Sequence, residues 1–202
     1  MVATLTGDIV KSQNLKDPQL YIGALSSIFN RLNLNYELFG GDSFQIELAE
    51  PEDSFALALQ IKAHLIEIGN IQTRIAIGIG EITFQGDSLL TRQGSAYLRS
   101  GRLLEKIKNS KQNLAIRTGD EKFDSEINIG FKLCEIPISQ WTKNTAEIVS
   151  LLYTYPDLNQ EQLGKKIGIK QNTVSERIKR SHWGVLKEFD TLFKEKVKAL
   201  NL

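Results

Sequence analysis

Two aspartates in the first quarter of the chain stand beside glycines, where apolar segments give way to polar ones. Asp8 follows Gly7 near the end of an apolar run, and Asp42 follows Gly40 and Gly41 between two apolar segments. Carboxylate oxygens, together with phosphate oxygens, are the ligands that Mg²⁺ prefers. Both aspartates are therefore predicted to hold Mg²⁺ or Mn²⁺. The three glycines are predicted to border a bound nucleotide, because they let phosphates approach the backbone.

The acidic pair also has a simpler interpretation. Asp8 alone could cap the next segment, and Asp42 alone could be an ordinary turn residue. Arg102 is assigned to the nucleotide phosphates. Three less specific candidates for the same role, which could equally be surface residues, are Glu81, Arg92 and Arg99.

Charge is distributed unevenly along the 202 residues, although the formal net charge is only +1. Residues 1–142 carry 14 Lys and Arg against 17 Asp and Glu, whereas residues 143–202 carry 11 against 7. A basic C-terminal segment after a mildly acidic N-terminal one indicates a polyanionic partner for that segment.

The C-terminal segment contains the spacing of two helices joined by a tight turn. Asn159 and Gln162 have the spacing of a capping box at a helix start. Gly164 is small enough for two helices to cross, Gly168 can form the turn, and Val174 can pack back beneath the first helix. This pattern resembles the helix-turn-helix family over residues 159–181, with glycine at position 164 where alanine is commoner.

The helix that follows the turn is predicted to contact double-stranded DNA, because its polar side chains are of the types that reach bases and phosphates. The residues assigned to bases are Gln171, Asn172, Thr173 and Glu176, and those assigned mainly to phosphates are Arg177, Lys179 and Arg180. The alternative is a plain helical hairpin with a solvated face.

The N-terminal segment alternates strand and helix patterns. Strands are predicted at 2–10, 36–39, 44–48, 72–80 and 114–117, and helices at 18–34, 53–68 and 94–108. This order predicts a ferredoxin-like βαββαβ domain over residues 1–138, which makes the fold class α+β. Residues 127–140, which include Pro137, are predicted to be extended and to lead into an all-α domain at 139–202. The final helix, from about Gly184 to Leu200, packs either on the preceding helices or on a second copy.

Composition excludes several classes of protein. With only Cys134 the chain forms no internal disulfide, and its two histidines do not supply a structural zinc site. No apolar run approaches the roughly 20 residues of a membrane span, and the N-terminus lacks the basic region of a signal peptide. A cytoplasmic protein without a membrane partner is expected.

The acidic motifs resemble those of nucleotidyl cyclases. Asp8-Ile9-Val10 is similar to the first metal-binding motif of class III cyclases, and Gly41-Asp42 to the second. Residues 40–44 also resemble the Gly-Gly-Asp-Glu-Phe motif of diguanylate cyclases, with Ser43 in place of the glutamate. In class III cyclases an asparagine lies four residues before the arginine that Arg102 matches, but this chain has Leu98 there. The resemblance implies a cyclase-like fold without ordinary cyclase activity.

The chain as a whole resembles the SatD-like family, which combines three short motifs in order with a C-terminal helix-turn-helix. The motifs are Gly7–Val10, Gly41–Gln45 and Gly78–Glu81. The resemblance implies a DNA-binding transcriptional regulator, expected to be a homodimer, whose cyclase-like domain senses a ligand. The alternative is a Mg²⁺-dependent nucleotide-processing enzyme with an accessory helical tail. A third interpretation is a pseudo-enzyme domain that only dimerises the DNA-binding part.

Overall fold

The computed structural model describes residues 1–15 and 17–200. Within that range the first part of the chain forms a mixed sheet with helices on both faces. Its elements are β1 (Val2–Ile9), α1 (Pro18–Arg31), β2 (Asn35–Phe39), β3 (Ser43–Leu48), α2 (Ser54–Gly69), β4 (Thr73–Gly80), α3 (Ser95–Lys108), β5 (Leu114–Arg117) and α4 (Glu121–Ile138). Up to β5, the strands and helices agree with the predicted ones to within three residues at each end.

The five strands lie in the order β2-β3-β1-β4-β5. β1 is central and pairs antiparallel with β3 and β4, while β4 and β5 are parallel. In this register Asp8 lies opposite Ser43 on one side and Arg74 on the other. The end of β1 is therefore adjacent to the β2–β3 turn and to the start of β4. The protein is an α+β protein built on a five-stranded mixed sheet.

Alternation along β1 separates two layers of side chains. Ala3, Leu5 and Ile9 join the large hydrophobic core beneath α1 and α2. Thr4, Thr6 and Asp8 point to the other face, where α3 covers the sheet; the Thr6 hydroxyl donates to the Ser100 Oγ at 2.9 Å. Polar residues of β1 are thus buried under α3, and this placement determines the surroundings of Asp8.

Residues 127–138 are helical and are followed by a turn at 139–140, so the prediction of an extended segment at 127–140 is wrong. They form most of α4, in which Phe123, Ile127 and Phe131 recur at helical spacing on the buried face. The Asp120 carboxylate caps the helix by accepting from the Phe123 amide at 2.9 Å. Pro137 lies one residue before the end of α4. The backbone hydrogen bond that proline cannot donate is therefore lost only in the last turn of the helix.

The last sixty residues are helical, and no strand occurs among those described, residues 139–200. The helices are α5 (Lys143–Thr154), α6 (Gln160–Ile167), α7 (Gln171–Ser181) and α8 (Trp183–Lys198). The capping box predicted at the start of α6 is confirmed. The Gln162 amide donates to Asn159 Oδ1 at 3.0 Å, and the Asn159 amide donates to Gln162 Oε1 at 2.9 Å.

The apolar face of α8 packs on the chain's own core, which decides between the two interpretations of this helix. Leu186, Phe193 and Val197 are buried. The Phe193 ring centroid lies 5.9 Å from that of Phe55 on α2 and 5.8 Å from that of Phe131 on α4. The core is therefore continuous across residues 138 and 139, and the division into two domains at that point stays a prediction.

Among residues 1–15 and 17–200, none of the helices has the length and apolar composition needed to cross a membrane.

Candidate nucleic-acid interface and acidic pair

The tight turn between α6 and α7 requires a glycine at position 164, because glycine has no side chain. A Cβ on Gly164 would lie 2.5 Å from the carbonyl oxygen of Ile169, closer than any ordinary contact. Val174 at the start of α7 is fully buried against Leu163 and Ile148. Gly168 ends α6 in the left-handed conformation, with φ of 70°. The roles predicted for Gly164, Gly168 and Val174 are all confirmed.

We expect Gly164→Ala to lower the free energy of unfolding by roughly 1–3 kcal/mol, since the new methyl meets the backbone of Ile169 and the turn between α6 and α7 must shift. Gly23→Ala on α1 is the matched control, because nothing lies within 4 Å of its Cβ position. There alanine should stabilise the protein by about 0.5–1 kcal/mol through its higher helix propensity. Urea unfolding of both variants measures the difference, and equal stabilisation by both would contradict a tight crossing.

The outer face of α7 carries most of the side chains predicted to contact DNA. Six of the seven are exposed, namely Gln171, Asn172, Thr173, Glu176, Lys179 and Arg180. Gln171 Nε2 also donates to Gln160 Oε1 at 3.3 Å, which links α7 to α6. The six side chains lie on one helix and face solvent, as an interface with a large partner requires.

Arg177 differs from its neighbours on α7. Its Nη1 lies 2.5 Å from Glu147 Oε2 on α5, and only 16% of its side chain is exposed. A guanidinium held by a carboxylate is less available to a phosphate than a free one. In the structure Arg177 links α7 to α5 through this ion pair, whereas the sequence analysis assigned it to phosphates.

Free positive charge beside this face comes from Lys170, Lys179 and Arg180. None of the three forms an ion pair within the described part of the chain. Two other lysines of α6 are engaged: Lys165 pairs with Glu161 at 2.8 Å, and Lys166 lies 4.0 Å from the centre of the Tyr155 ring. The uncompensated charge is thus concentrated at the two ends of α7.

Asp8 lies at the end of β1 and is already surrounded by cations. Arg74 Nη1 donates to both of its oxygens, at 3.1 and 3.2 Å, and Lys108 Nζ lies 3.9 Å from Oδ2. Burial raises the pKa of Asp8, Arg74 and Lys108 lower it, and Asp42 raises it slightly. Because Asp8 lies opposite Ser43 in the β1–β3 register, the second carboxylate, Asp42, is in the same neighbourhood.

Asp42 lies in the β2–β3 turn, where Gly40 and Gly41 take positive φ values of 62° and 87°. Its Oδ2 accepts from the Ser12 hydroxyl at 2.5 Å and its Oδ1 from the Ser43 hydroxyl at 3.2 Å. Its carbonyl oxygen accepts from the Ile9 amide at 3.0 Å, which brings it next to the end of β1.

This arrangement does not fit a metal ion shared by both carboxylates. Arg74 and Lys108 occupy the side of Asp8 where a cation would bind, and two hydroxyls occupy Asp42. Among residues 1–15 and 17–200, no group of three or more His, Cys, Asp or Glu side chains forms a metal cluster. The Mg²⁺ or Mn²⁺ site therefore stays a prediction that needs a rearrangement of Arg74.

The predicted nucleotide-binding residues are only partly brought together. Gly40 and Gly41 border one cavity of about 350 Å³ with Asp42. Gly7 is packed instead: a Cβ there would lie 2.3 Å from the Phe44 ring. Arg102 lines a different cavity, of about 400 Å³, that also contains Arg99, Lys106 and Arg117.

One partly buried polar cluster beside the sheet was not predicted from the sequence. Glu47 on β3 accepts from Arg92 Nη1 at 2.5 Å and from the Tyr97 hydroxyl. Burial opposes the charge on Glu47, but the hydrogen bonds from Arg92 and Tyr97 lower its pKa overall. The three residues are up to fifty positions apart in sequence, so no local spacing could have indicated the cluster.

The fold and these residues define an α+β protein with a mixed sheet and a C-terminal bundle of helices. The SatD family matches residues 2–197, and the chain belongs to this family. No curated protein matches it. Among solved structures it is similar to one entitled "Structure of a bacterial light-regulated adenylyl cyclase", at 15% identity and a TM-score of 0.39, covering 70% of this chain and 80% of that one. A second structure, also of a bacterial light-regulated adenylyl cyclase, aligns at 14% identity and a TM-score of 0.38, over 57% of this chain and 42% of the other.

Proposed function

We propose that this protein binds double-stranded DNA through α7 and acts as a transcriptional regulator. The observation that carries the proposal is the α6–α7 crossing, in which Gly164 permits close contact and Val174 fills the space beneath. The exposed side of α7 remains polar and basic. Helix-turn-helix proteins place the second helix of such a pair in the major groove, with the residues at its start on base edges.

The roles follow from where each side chain lies on α7. Asn172 and Thr173 are in the first turn and exposed, as contacts to bases require, and Gln171 and Glu176 lie beside them. Lys179 and Arg180 are at the end of the helix and take phosphates. Arg177 takes a positioning role, because its ion pair with Glu147 fixes the angle between α7 and α5.

A homodimer is part of this proposal, since two copies of α7 could read half-sites about one turn of DNA apart. The buried face of α8 is not its interface, because that face packs on α2 and α4. The N-terminal part of the chain is the other candidate, because it exposes apolar side chains around α3 (Phe84, Leu90 and Leu98) and along α4 (Ile129, Leu133 and Ile136). Light scattering is expected to give twice the 22.7 kDa chain mass, and a monomer mass with and without DNA would contradict the dimer.

A second candidate function is a Mg²⁺-dependent nucleotide-processing site of the cyclase type. One observation favours it: Asp8 and Asp42 lie near each other where β1 ends and β3 begins, and Asp42 lines the cavity that Gly40 and Gly41 border. The mixed sheet, in the order β2-β3-β1-β4 around the central strand, supports the same interpretation. For this function, Arg74 must first release Asp8.

Metal binding should therefore depend on Arg74. We expect Mn²⁺ with ATP to leave the melting temperature of the wild-type protein nearly unchanged and to raise that of Arg74→Met by several degrees. Removing the guanidinium leaves two neighbouring carboxylates with only the more distant Lys108 ammonium, 3.9 Å from Asp8, opposite them. A cation that binds both carboxylates then stabilises the native state. Adding Asp42→Asn to Arg74→Met should abolish the shift. A large shift in the wild type would instead favour the nucleotide-processing function.

A further inference from the structure

Lys62 is a buried ammonium group on α2, a helix whose residues are mostly apolar. Only 4% of the residue is exposed, and its neighbours on α2 form part of the hydrophobic core. Its Nζ donates to the carbonyl oxygens of Thr73 at 2.7 Å and Asn113 at 3.1 Å. Both acceptors are neutral, so neither compensates the buried charge, which is costly to keep without an opposite charge.

The partial compensation comes from Glu135 on α4. Its Oε1 accepts from the Asn113 amide at 2.7 Å, so it is fixed beside the same loop as Lys62. No ion pair within 4.0 Å joins the two side chains in the described part of the chain. Burial lowers the pKa of Lys62 to about 8, and Glu135 raises it only in part. An ammonium has three N–H donors, and the two carbonyls use two of them.

Lys62 and Glu135 line a cavity of about 510 Å³ between α2, α4 and the loop before β5. Lys111 and Lys132 stand exposed at its mouth, so that three lysines face a single glutamate. Amide and hydroxyl groups supply further polar contacts, from Gln72, Asn113, Ser110 and Ser139. Aliphatic Ile138 forms part of the wall, and no aromatic side chain of residues 1–15 and 17–200 lines the cavity.

The volume and the charge of this cavity together indicate its occupant. Small-molecule sites in proteins enclose roughly 300–1,000 Å³ and carry a few convergent polar groups on an apolar wall. The excess of positive charge attracts an anion. The lack of an aromatic surface offers nothing on which a nucleobase would stack.

We propose that this cavity binds a small non-aromatic metabolite with a phosphate or carboxylate group, and that Lys62 contacts the anionic group at its base. The cavity contains no residue of α7 and neither Asp8 nor Asp42. Anion binding in the cavity can therefore be tested independently of DNA binding. A purely structural Lys62, which would only tie α2 to β4 and β5, would not need the two lysines at the mouth. The variants below separate these two roles.

The test is calorimetric titration of the full-length protein with inorganic phosphate and, separately, with citrate. Saturable binding of either anion at millimolar concentration or below is expected. Lys111→Gln/Lys132→Gln should weaken it at least tenfold. These exposed residues can change without loss of folding, and Lys122→Gln on the same helix is the control and should leave binding unchanged. Lys62→Met, where it folds, should abolish binding.

Binding of phosphate alone, citrate alone or both supports the site and identifies its preferred anionic group. No saturable binding of either anion up to about 10 mM, which corresponds to a binding free energy weaker than about −3 kcal/mol, would overturn the proposal. So would binding that is equally tight in the Lys111→Gln/Lys132→Gln variant, because the cavity would then not be where the anion binds.

Discussion

Phe193→Ala is expected to lower the free energy of unfolding by about 3–5 kcal/mol, the range for truncating a fully buried aromatic side chain. Phe193 is 0% exposed, and its ring lies against those of Phe55 on α2 and Phe131 on α4. The cavity left by the substitution would therefore open where α8 joins the rest of the molecule. Chemical denaturation followed by circular dichroism and by tryptophan fluorescence measures the loss.

Leu192→Ala provides the control, because it changes the adjacent residue on the solvent side of α8, where 45% of the leucine is exposed. It should cost well under 1 kcal/mol, as surface truncations usually do. The continuous core also predicts that Phe193→Ala shifts a single transition seen by both probes. A variant that unfolds in two steps, with the later step at the wild-type denaturant concentration, would show that the sheet and the C-terminal helices are separate folding units.

The second large effect is expected on DNA affinity. Lys179→Gln/Arg180→Gln should weaken binding to a duplex roughly fifty-fold at about 0.1 M salt, because each neutralised phosphate contributes about 0.9 to the slope of log K against log salt. The slope itself should fall by about two. Both residues are exposed and unpaired within the described range, so their loss should not alter folding.

The matched control removes the same charge elsewhere. Lys106→Gln/Lys122→Gln changes two exposed lysines of α3 and α4, far in sequence from α7. It should leave the affinity and the slope nearly unchanged, since the contacts of α7 remain. Equal weakening by both double variants would mean that only the overall charge of the protein matters, and that α7 is not the binding surface.

Local signals in the sequence were sufficient for much of the fold. The capping box of Asn159 and Gln162, the glycines of the β2–β3 turn and the turn at Gly168 act over a few residues. Residues close together in sequence therefore determine the geometry of this helix start and of these turns. The same holds for the alternation of β1, which separates its buried apolar and polar faces. The helix α4 was missed because Pro137 suggested a break, although it lies in the last turn.

The chemistry of the site depends on partners that are distant in sequence. Arg74 is 66 positions from Asp8, and Glu147 is 30 positions from Arg177. No spacing pattern indicates that a predicted metal ligand or phosphate contact will be held by such a partner. Arg102 was assigned to the nucleotide through a family motif, yet α3 places it over a different cavity from Gly40 and Gly41. The roles of these residues depend on tertiary packing, which cannot be read from the spacing of residues in the sequence.

The most direct test of DNA binding is the affinity of the full-length protein for a double-stranded DNA of random sequence, measured by fluorescence anisotropy over a series of salt concentrations. We expect binding at about 50 mM salt that weakens linearly on a log–log plot, with a shallower line for Lys179→Gln/Arg180→Gln. An absence of binding at about 50 mM salt, in a range where basic DNA-binding proteins bind any duplex, would contradict the proposed function.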